Sequence, residues 1–285
     1  MRLTKKIAEE QPFSSSIYCH ITLDLKEFTS IDDAAAEVLS RNKATLILDG
    51  LVTISEKAAE SLGKHEQWLF LNGLKFIPEG VAKELGKHKD WLVLNGVQQL
   101  SVAEAEAIGE TLGNLNLDGL IELPFAVAKG LGKRKKSLSL NGLKEISAAA
   151  ADELANQHGD LYLNGLNELS GDSAAMLAKR KGWVLAVRPD SLAESMTPNM
   201  EECPCVLEMD GLEQLSEIAA IELAKFSGTL HLNGIQHLSD IAAKEFSRID
   251  RHLSLDGIKF LSEAATRALK SRSKIRLPPE LRGSG

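Results

Sequence analysis

The strongest constraint on the fold of this chain is a dipeptide, Asn-Gly or Asp-Gly, that returns at a fixed spacing. Its glycines are Gly50, Gly73, Gly96, Gly119, Gly142, Gly165, Gly211, Gly234 and Gly257. Successive glycines are 23 residues apart, except for the 46 residues between Gly165 and Gly211. Such a period is typical of repeat proteins, in which each unit packs only against its neighbours. The longer interval predicts one further unit of standard length with an eroded signature.

Each unit reads as a short strand, a turn and a helix. The strand is Leu-x-Leu, as in Leu69 and Leu71, and its period of two places both leucines on one side. The Asn-Gly pair supplies residues that tolerate positive φ and predicts a turn. A serine such as Ser55 then stands where a helix N-cap is needed, and Pro78 and Pro124 take this place in two units. An Ala- and Leu-rich helix completes the unit.

The order of these parts resembles the leucine-rich repeat, as in Leu69-Phe70-Leu71-Asn72-Gly73-Leu74. It looks most like the cysteine-containing subclass, although Leu51, Val97 or Ile235 stands at the cysteine position and the unit is shorter. The resemblance covers residues 21 to about 277. It implies an α/β solenoid with a parallel β-sheet on the concave side and α-helices on the convex side. It also implies a role in protein–protein interaction.

The repeats predict the domain organisation. We expect an N-terminal cap or extension at 1–20, a single solenoid of about ten to eleven units at 21–277, and a tail at 278–285 that resembles a linker scar. An irregular unit is expected at 183–209, with Val184 to Val187 as its strand. Prolines in this unit forbid a regular helix. It is either a second contact loop, which could be deleted at 190–204 without unfolding the array, or a product of drift.

Composition and charge narrow the classes of partner. The net charge of −7 disfavours nucleic acid as a partner. A basic strip at 133–136, 179–181 and 270–276 is interpreted as charge at helix C-termini, with an acidic partner as the alternative. The three cysteines do not form a disulfide framework. No apolar run has the length of a signal peptide or membrane span, which predicts a cytoplasmic protein without membrane association.

Outward-facing strand positions carry the candidate binding residues. The inward leucines already fill the core, so we expect an exposed apolar patch on the concave face. The predicted partner-binding residues are Ile47, Trp68, Phe70, Trp91, Val93 and Tyr162. Exposed tryptophan is typical of an interface with a protein partner. Two alternatives stay open: residues 1–20 cover the patch as a cap, or the patch is a homodimer face.

Polar residues offer further candidates with simpler explanations. The residues that precede the signature glycines, from Asp49 to Asp256, are interpreted as turn chemistry rather than as a cation site. His231, His252 and Glu208 could form a zinc facet, but a dispersed polar surface, which also includes His65 and His88, is preferred. The sequence therefore predicts no catalytic residue, no metal site and no cofactor. It predicts a non-enzymatic interaction scaffold, with a self-associating structural array as the alternative.

Overall fold

The computed structural model describes residues 1–12, 21–180 and 205–282. Its strands are β1 (Arg2–Leu3), β2 (Thr22–Asp24), β3 (Ser30–Ile31), β4 (Thr45–Ile47), β5 (Leu69–Phe70), β6 (Leu92–Val93), β7 (Leu115–Asn116), β8 (Leu138–Ser139), β9 (Leu161–Tyr162), β10 (Val206–Glu208), β11 (Thr229–His231), β12 (Leu253–Ser254) and β13 (Ile275–Arg276).

Its helices are α1 (Lys5–Glu9), α2 (Asp33–Ser40), α3 (Glu56–Leu62), α4 (Glu79–Leu85), α5 (Val102–Gly109), α6 (Phe125–Leu131), α7 (Ala148–Ala155), α8 (Gly171–Leu177), α9 (Glu217–Leu223), α10 (Asp240–Phe246), α11 (Glu263–Lys270) and α12 (Pro279–Arg282). Strands and helices alternate from β4 to β13, which confirms the predicted solenoid of strand–turn–helix units.

One parallel sheet runs through the described part of the chain. It contains 11 strands, in the order β13, β12, β11, β10, β9, β8, β7, β6, β5, β4 and β2, and it is not closed into a barrel. Equivalent leucines of adjacent units pair in register, for example Leu46 with Leu69 and Leu69 with Leu92. The sequence period of 23 residues is therefore the spacing of one layer of the stack.

The core lies between the sheet and the helix layer. Leu46, Leu48 and Leu51 are fully buried, and so are Ala58 and Ala59 of α3. Alanine on the inward face of the helix lets it approach the sheet closely, while the leucines fill the space between layers. No unit could bury its own apolar face alone, so neighbouring units complete one continuous core.

The helix starts confirm the predicted caps. The hydroxyl groups of Ser55, Ser101, Ser147, Ser170, Ser216, Ser239 and Ser262 each accept a hydrogen bond from a backbone N–H in the first helical turn. Glu104 also accepts from the backbone N–H of Ser101, which completes a capping box. Pro78 and Pro124 stand at the N-cap without a side-chain bond.

The residue before each signature glycine links neighbouring units. The side-chain Oδ1 of Asp49 accepts the backbone N–H of Asn72 at 2.9 Å, and Asn72 accepts that of Asn95 at the same distance. The same bond recurs up to Asp256 at 2.7–3.0 Å. These side chains are structural, as predicted, and they form a ladder between turns.

The expected reason for the glycines is wrong. In the described part of the chain, none of the signature glycines has a φ in the left-handed region. Instead, a Cβ on Gly73 would collide with the carbonyl oxygens of Asp49 and Leu51 in the preceding unit. Glycine is needed because two backbone turns stack without room for a side chain between them.

The long interval between Gly165 and Gly211 does not add a layer to the sheet. Strand β9 pairs directly with β10, with Leu161 opposite Leu207, and the N–H of Asp210 donates to Asn164 Oδ1 at 2.8 Å. This pairing corrects the expectation of a unit at 183–209 between them. The 46 residues between Gly165 and Gly211 equal two repeat lengths, so the spacing alone predicted an additional unit that the sheet does not contain. The predicted strand Val184 to Val187 and the loop 190–204 lie outside the described residues.

The described N-terminal residues pack at the end of the stack. Strand β1 pairs in parallel with β3, and α1 lies against α2. Leu3 is fully buried and Ala8 nearly so, which means that residues 1–12 extend the helix layer beyond the first complete unit. The domain boundaries at 20 and 277 stay a prediction.

Candidate functional site

The outward side of the sheet, here called the sheet face, collects one row of side chains from the middle of each strand. Its register runs Asp24, Ile47, Phe70, Val93, Asn116, Ser139, Tyr162, Glu208, His231, Ser254 and Arg276. After Asp24, the row is apolar from Ile47 to Val93 and polar or charged beyond Val93. The sheet face therefore has two chemically different halves.

Four side chains of the apolar half form what we call the aromatic patch: Ile47, Trp68, Phe70 and Trp91. Trp68 is 45% exposed, and the other three are half-buried. The Trp68 ring lies with its centroid 6.1 Å from that of Phe70 and 6.1 Å from that of Trp91, in tilted arrangements. The rings thus support one another, and Trp68 keeps nearly half of its surface free.

Two predicted site residues lie elsewhere. Val93 was expected to be exposed, but it is buried at 6% because it lies in register between Phe70 and Asn116. Short side chains of the same row, such as Ser139, are buried in the same way. Tyr162 is half-buried and lies three strands from Val93, about 14 Å away. Val93 therefore lies beside Phe70 in the same row without an exposed surface, and Tyr162 is separate from the aromatic patch.

The polar half is tied into the fold by hydrogen bonds. Asn164 Nδ2 donates to Glu208 Oε1 at 2.7 Å, and His231 Nδ1 lies 3.5 Å from Glu208 Oε2. Burial raises the pKa of Tyr162, and the charges of Asp160 and Glu208 raise it further. Over the described ranges, no three His, Cys, Asp or Glu side chains are grouped so that they could hold a metal ion. The geometry gives the zinc facet no support.

A column of buried polar residues lies where helices α2 to α8 return to the sheet, and buried Phe226 and Ile249 take this place after α9 and α10. Its members are Asn42, His65, His88, Thr111, Arg134, Gln157 and Arg180, each at most 4% exposed. Several bind a carbonyl in the preceding unit: His65 Nε2 contacts Ala44 O at 2.9 Å, and Gln157 Nε2 donates to Lys136 O at 2.6 Å. Polar side chains occur here because these turns leave carbonyl groups that need donors.

This column corrects two sequence interpretations. Arg134 and Arg180 were assigned to an exposed basic strip, but both are buried at 1%, and Arg134 Nη2 donates to Gly113 O at 2.7 Å. His65 and His88 were assigned to the surface and are buried at 1% and 0%. A turn residue can point under the adjacent turn, and the sequence pattern alone does not show this direction.

The two buried histidines lie in the turns that lead into the strands of Trp68 and Trp91. Their rings stack with centroids 6.3 Å apart and an interplanar angle of 13°. Each precedes a tryptophan by three residues: His65 with Trp68, and His88 with Trp91. Burial lowers the pKa of both histidines to about 4, and for His65 the neighbouring His88 lowers it further. Both rings are therefore neutral at pH 7.

A second apolar feature, which the sequence reasoning missed, follows the edge where strands turn towards helices. Its members are Val52, Phe76, Val102, Ile121, Phe125, Ile218, Ile241 and Phe260, which are 47–75% exposed. A sequence signal was available, since apolar residues stand at loop and first-turn helix positions of the repeat where other units carry polar residues such as Lys, Glu or Gln. These side chains are spread along the edge and none belongs to the aromatic patch, so they provide controls for it.

None of the described helices is long and apolar enough to cross a membrane.

Comparisons with known proteins reveal similarity in structure but not in sequence. No protein-family model matches the chain, and no curated protein matches it. Toll, in the Drosophila Toll–Spatzle complex, superposes with a TM-score of 0.50 and 15% identity over 98% of this chain and 40% of the Toll chain. The glycosylated form of that complex gives 0.51 and 13%, over 97% and 39%.

An internalin of Listeria monocytogenes gives a TM-score of 0.43 and 13% identity, over 89% of this chain and 76% of the internalin chain. With 40% of the Toll chain covered, the present chain spans about two fifths of the length of Toll. At these identities the similarity to Toll concerns the fold alone.

Proposed function

Because this chain has the leucine-rich-repeat fold, we propose that it is a non-enzymatic scaffold that binds a protein partner on the aromatic patch. The observation that carries the proposal is Trp68, which stays 45% exposed in a cluster of three aromatic rings. The core does not need this cluster, since the inward leucines of the same strands are fully buried. A large exposed apolar side chain within a cluster of other apolar side chains is typical of a protein interface.

The architecture supports this role in general terms. Toll, which has a similar fold, forms a complex with Spatzle, so a protein of this fold can have a protein partner. In the present chain, the polar ladder and the buried column fix the layers, and the strands hold Trp68 and Phe70 in a set register. A rigid surface loses little conformational entropy when it binds.

The experiment compares capture of partners from source-cell lysate by the wild type and by the Trp68→Ala/Trp91→Ala variant at neutral pH. The matched control is Phe76→Ala, which removes a ring that is 75% exposed on the strand–helix edge and outside the aromatic patch. Loss of two aromatic anchors removes about 2 kcal/mol or more of binding free energy, or roughly 30-fold in affinity. We expect the double variant to lose a partner that Phe76→Ala retains.

Equal capture by all three proteins would overturn the proposal. The predicted alternative, a homodimer through the same patch, is separated by light scattering of the purified protein. A concentration-dependent dimer that disappears in Trp68→Ala/Trp91→Ala would favour self-association over a foreign partner.

A further inference from the structure

Only two described units place a histidine in the buried column, and both also place a tryptophan on the sheet face. His65 leads to Trp68 and His88 leads to Trp91 through turns of two intervening residues. At the equivalent positions the other described units carry Asn42, Thr111, Arg134, Gln157, Arg180, Phe226 and Ile249. Of these, Arg180 is also followed three residues later by a tryptophan, Trp183, which lies outside the described residues. The titratable pair and the aromatic pair therefore occupy the same two layers of the stack.

The histidine slot is buried, and His65 also borders an open surface pocket of about 270 Å³ that Lys64, Glu66, Lys87 and Lys89 help to line. His65 Nε2 contacts Ala44 O at 2.9 Å, which requires a proton on Nε2. His65 Nδ1 and both ring nitrogens of His88 are buried and make no well-aligned hydrogen bond among the described residues, although backbone groups of Ser40 lie near His65 and those of Trp91, His65 and Gln67 lie near His88. The slot accommodates a neutral imidazole. A second proton would place a positive charge on a ring that burial keeps largely out of contact with solvent.

The charged groups around the slot do not stabilise a protonated histidine ring. The charged side chains that line the slot or act on His65 are Lys43, Lys64, Glu66, Lys87 and Lys89. Glu66 is already paired with Lys43, and this hydrogen bond lowers its pKa. Carbonyl groups of Gln67 and Trp91 favour a charged His88, but burial outweighs them.

We infer that the stacked His65–His88 pair holds the two tryptophan-bearing turns in place only while both rings are neutral, so that the aromatic patch is acid-labile. Protonation of one ring puts a cation in the slot, and protonation of the second adds repulsion across the stack. The turns then open to admit water, and Trp68 and Trp91 lose their fixed positions. The inference rests on the proposed function in so far as the aromatic patch is the recognition surface.

The direction of the pH dependence follows from linkage. The ordinary histidine pKa is 6.5, and in the folded chain it is lowered to about 4 for both rings. The folded state therefore binds fewer protons than the opened state between these values. The native turn geometry is fully favoured above pH 6.5 and loses stability progressively as the pH falls towards 4.

The chain itself provides a matched variant. Gln157 occupies the same column, is buried, and bonds a carbonyl 21 residues earlier, as His65 does. His65→Gln/His88→Gln thus keeps a buried donor without a titrating ring. Trp183, which lies outside the described residues, is replaced by Phe in parent and variant, so that tryptophan emission reports Trp68 and Trp91.

The experiment follows tryptophan emission and far-UV circular dichroism from pH 7.5 to 4. We expect the parent emission to change while its circular dichroism is still native, and the double-Gln variant to show no emission change in that range. A constant parent emission, or the same emission transition in both proteins, would contradict the inference. Carboxylates are common to both proteins, so they cancel in this comparison.

If the double-Gln variant is not folded at pH 7.5, nuclear magnetic resonance of the parent decides. The rings of His65 and His88 should titrate at about pH 4, and the indole signals of Trp68 and Trp91 should move with the same midpoint. Indole signals that do not follow these rings would overturn the inference. No partner is needed, so this result and the capture experiment can fail separately.

Discussion

At the turn after each strand, one missing Cβ allows two units to stack. Gly73 faces the backbone carbonyls of Asp49 and Leu51, which belong to the preceding turn and cannot move independently. Gly80 lies seven residues further on, in α4, and a Cβ there would meet only side-chain atoms of Glu56. The two glycines of one unit therefore differ in what surrounds them.

We predict that Gly73→Ala lowers the free energy of unfolding by about 2 kcal/mol or more, because the turns must separate. Gly80→Ala should change it by less than about 1 kcal/mol, since Glu56 can rotate away and alanine favours the helix. Urea unfolding followed by circular dichroism measures both. Equal effects of the two substitutions would show that the close contact between turns is not what selects glycine.

Residues of the turns show where sequence reasoning reached its limit. The repeat identified the glycines and the Asn/Asp ladder as structural, but it assigned the glycines to positive φ rather than to close approach. It also placed Arg134 and His65 on the surface, although both are buried. Composition locates a turn, whereas the direction of a turn side chain depends on the neighbouring unit, which the local sequence does not contain.

At the level of elements, the short strands and capped helices follow from the repeat itself. The Leu-x-Leu pattern predicted the strands, and the serine caps predicted where the helices begin, because both depend on local chemistry. The junction between β9 and β10 was not predictable in the same way. Its 46-residue spacing equals two repeats, yet the strands are hydrogen-bonded neighbours.

This pairing predicts that deletion of 182–204 preserves the fold. The deletion reduces the spacing from Leu161 to Leu207 from 46 to 23 residues, the normal length of a unit. The β9–β10 hydrogen bonds and the Asn164–Asp210 bond would remain. We expect cooperative thermal unfolding, and we expect the far-UV circular dichroism spectrum to keep its shape. Loss of cooperative unfolding would show that the deleted residues are required by the stack.

For the whole molecule, stacking places equivalent residues of successive units side by side on the sheet. Differences between units along the sequence therefore become differences between regions of the sheet face. The sheet face is aromatic around β4 to β6 and polar from β7 onwards, and the two units that carry Trp68 and Trp91 are also those with a buried histidine in the preceding turn. The location of Ile47, Trp68, Phe70 and Trp91 on one face could be predicted from the period of two. The burial of Val93 could not, because it depends on the sizes of its neighbours across the sheet.

The central claim is that a protein partner contacts the aromatic patch rather than another apolar part of the solenoid. Photo-crosslinking tests it most directly, with a benzophenone amino acid placed at Phe70 on the sheet face or at Phe76 on the strand–helix edge. The account predicts a crosslinked partner from Phe70 and none from Phe76, at neutral pH and in the same lysate. Crosslinking from Phe76 alone would contradict it and would place recognition on the edge of the solenoid.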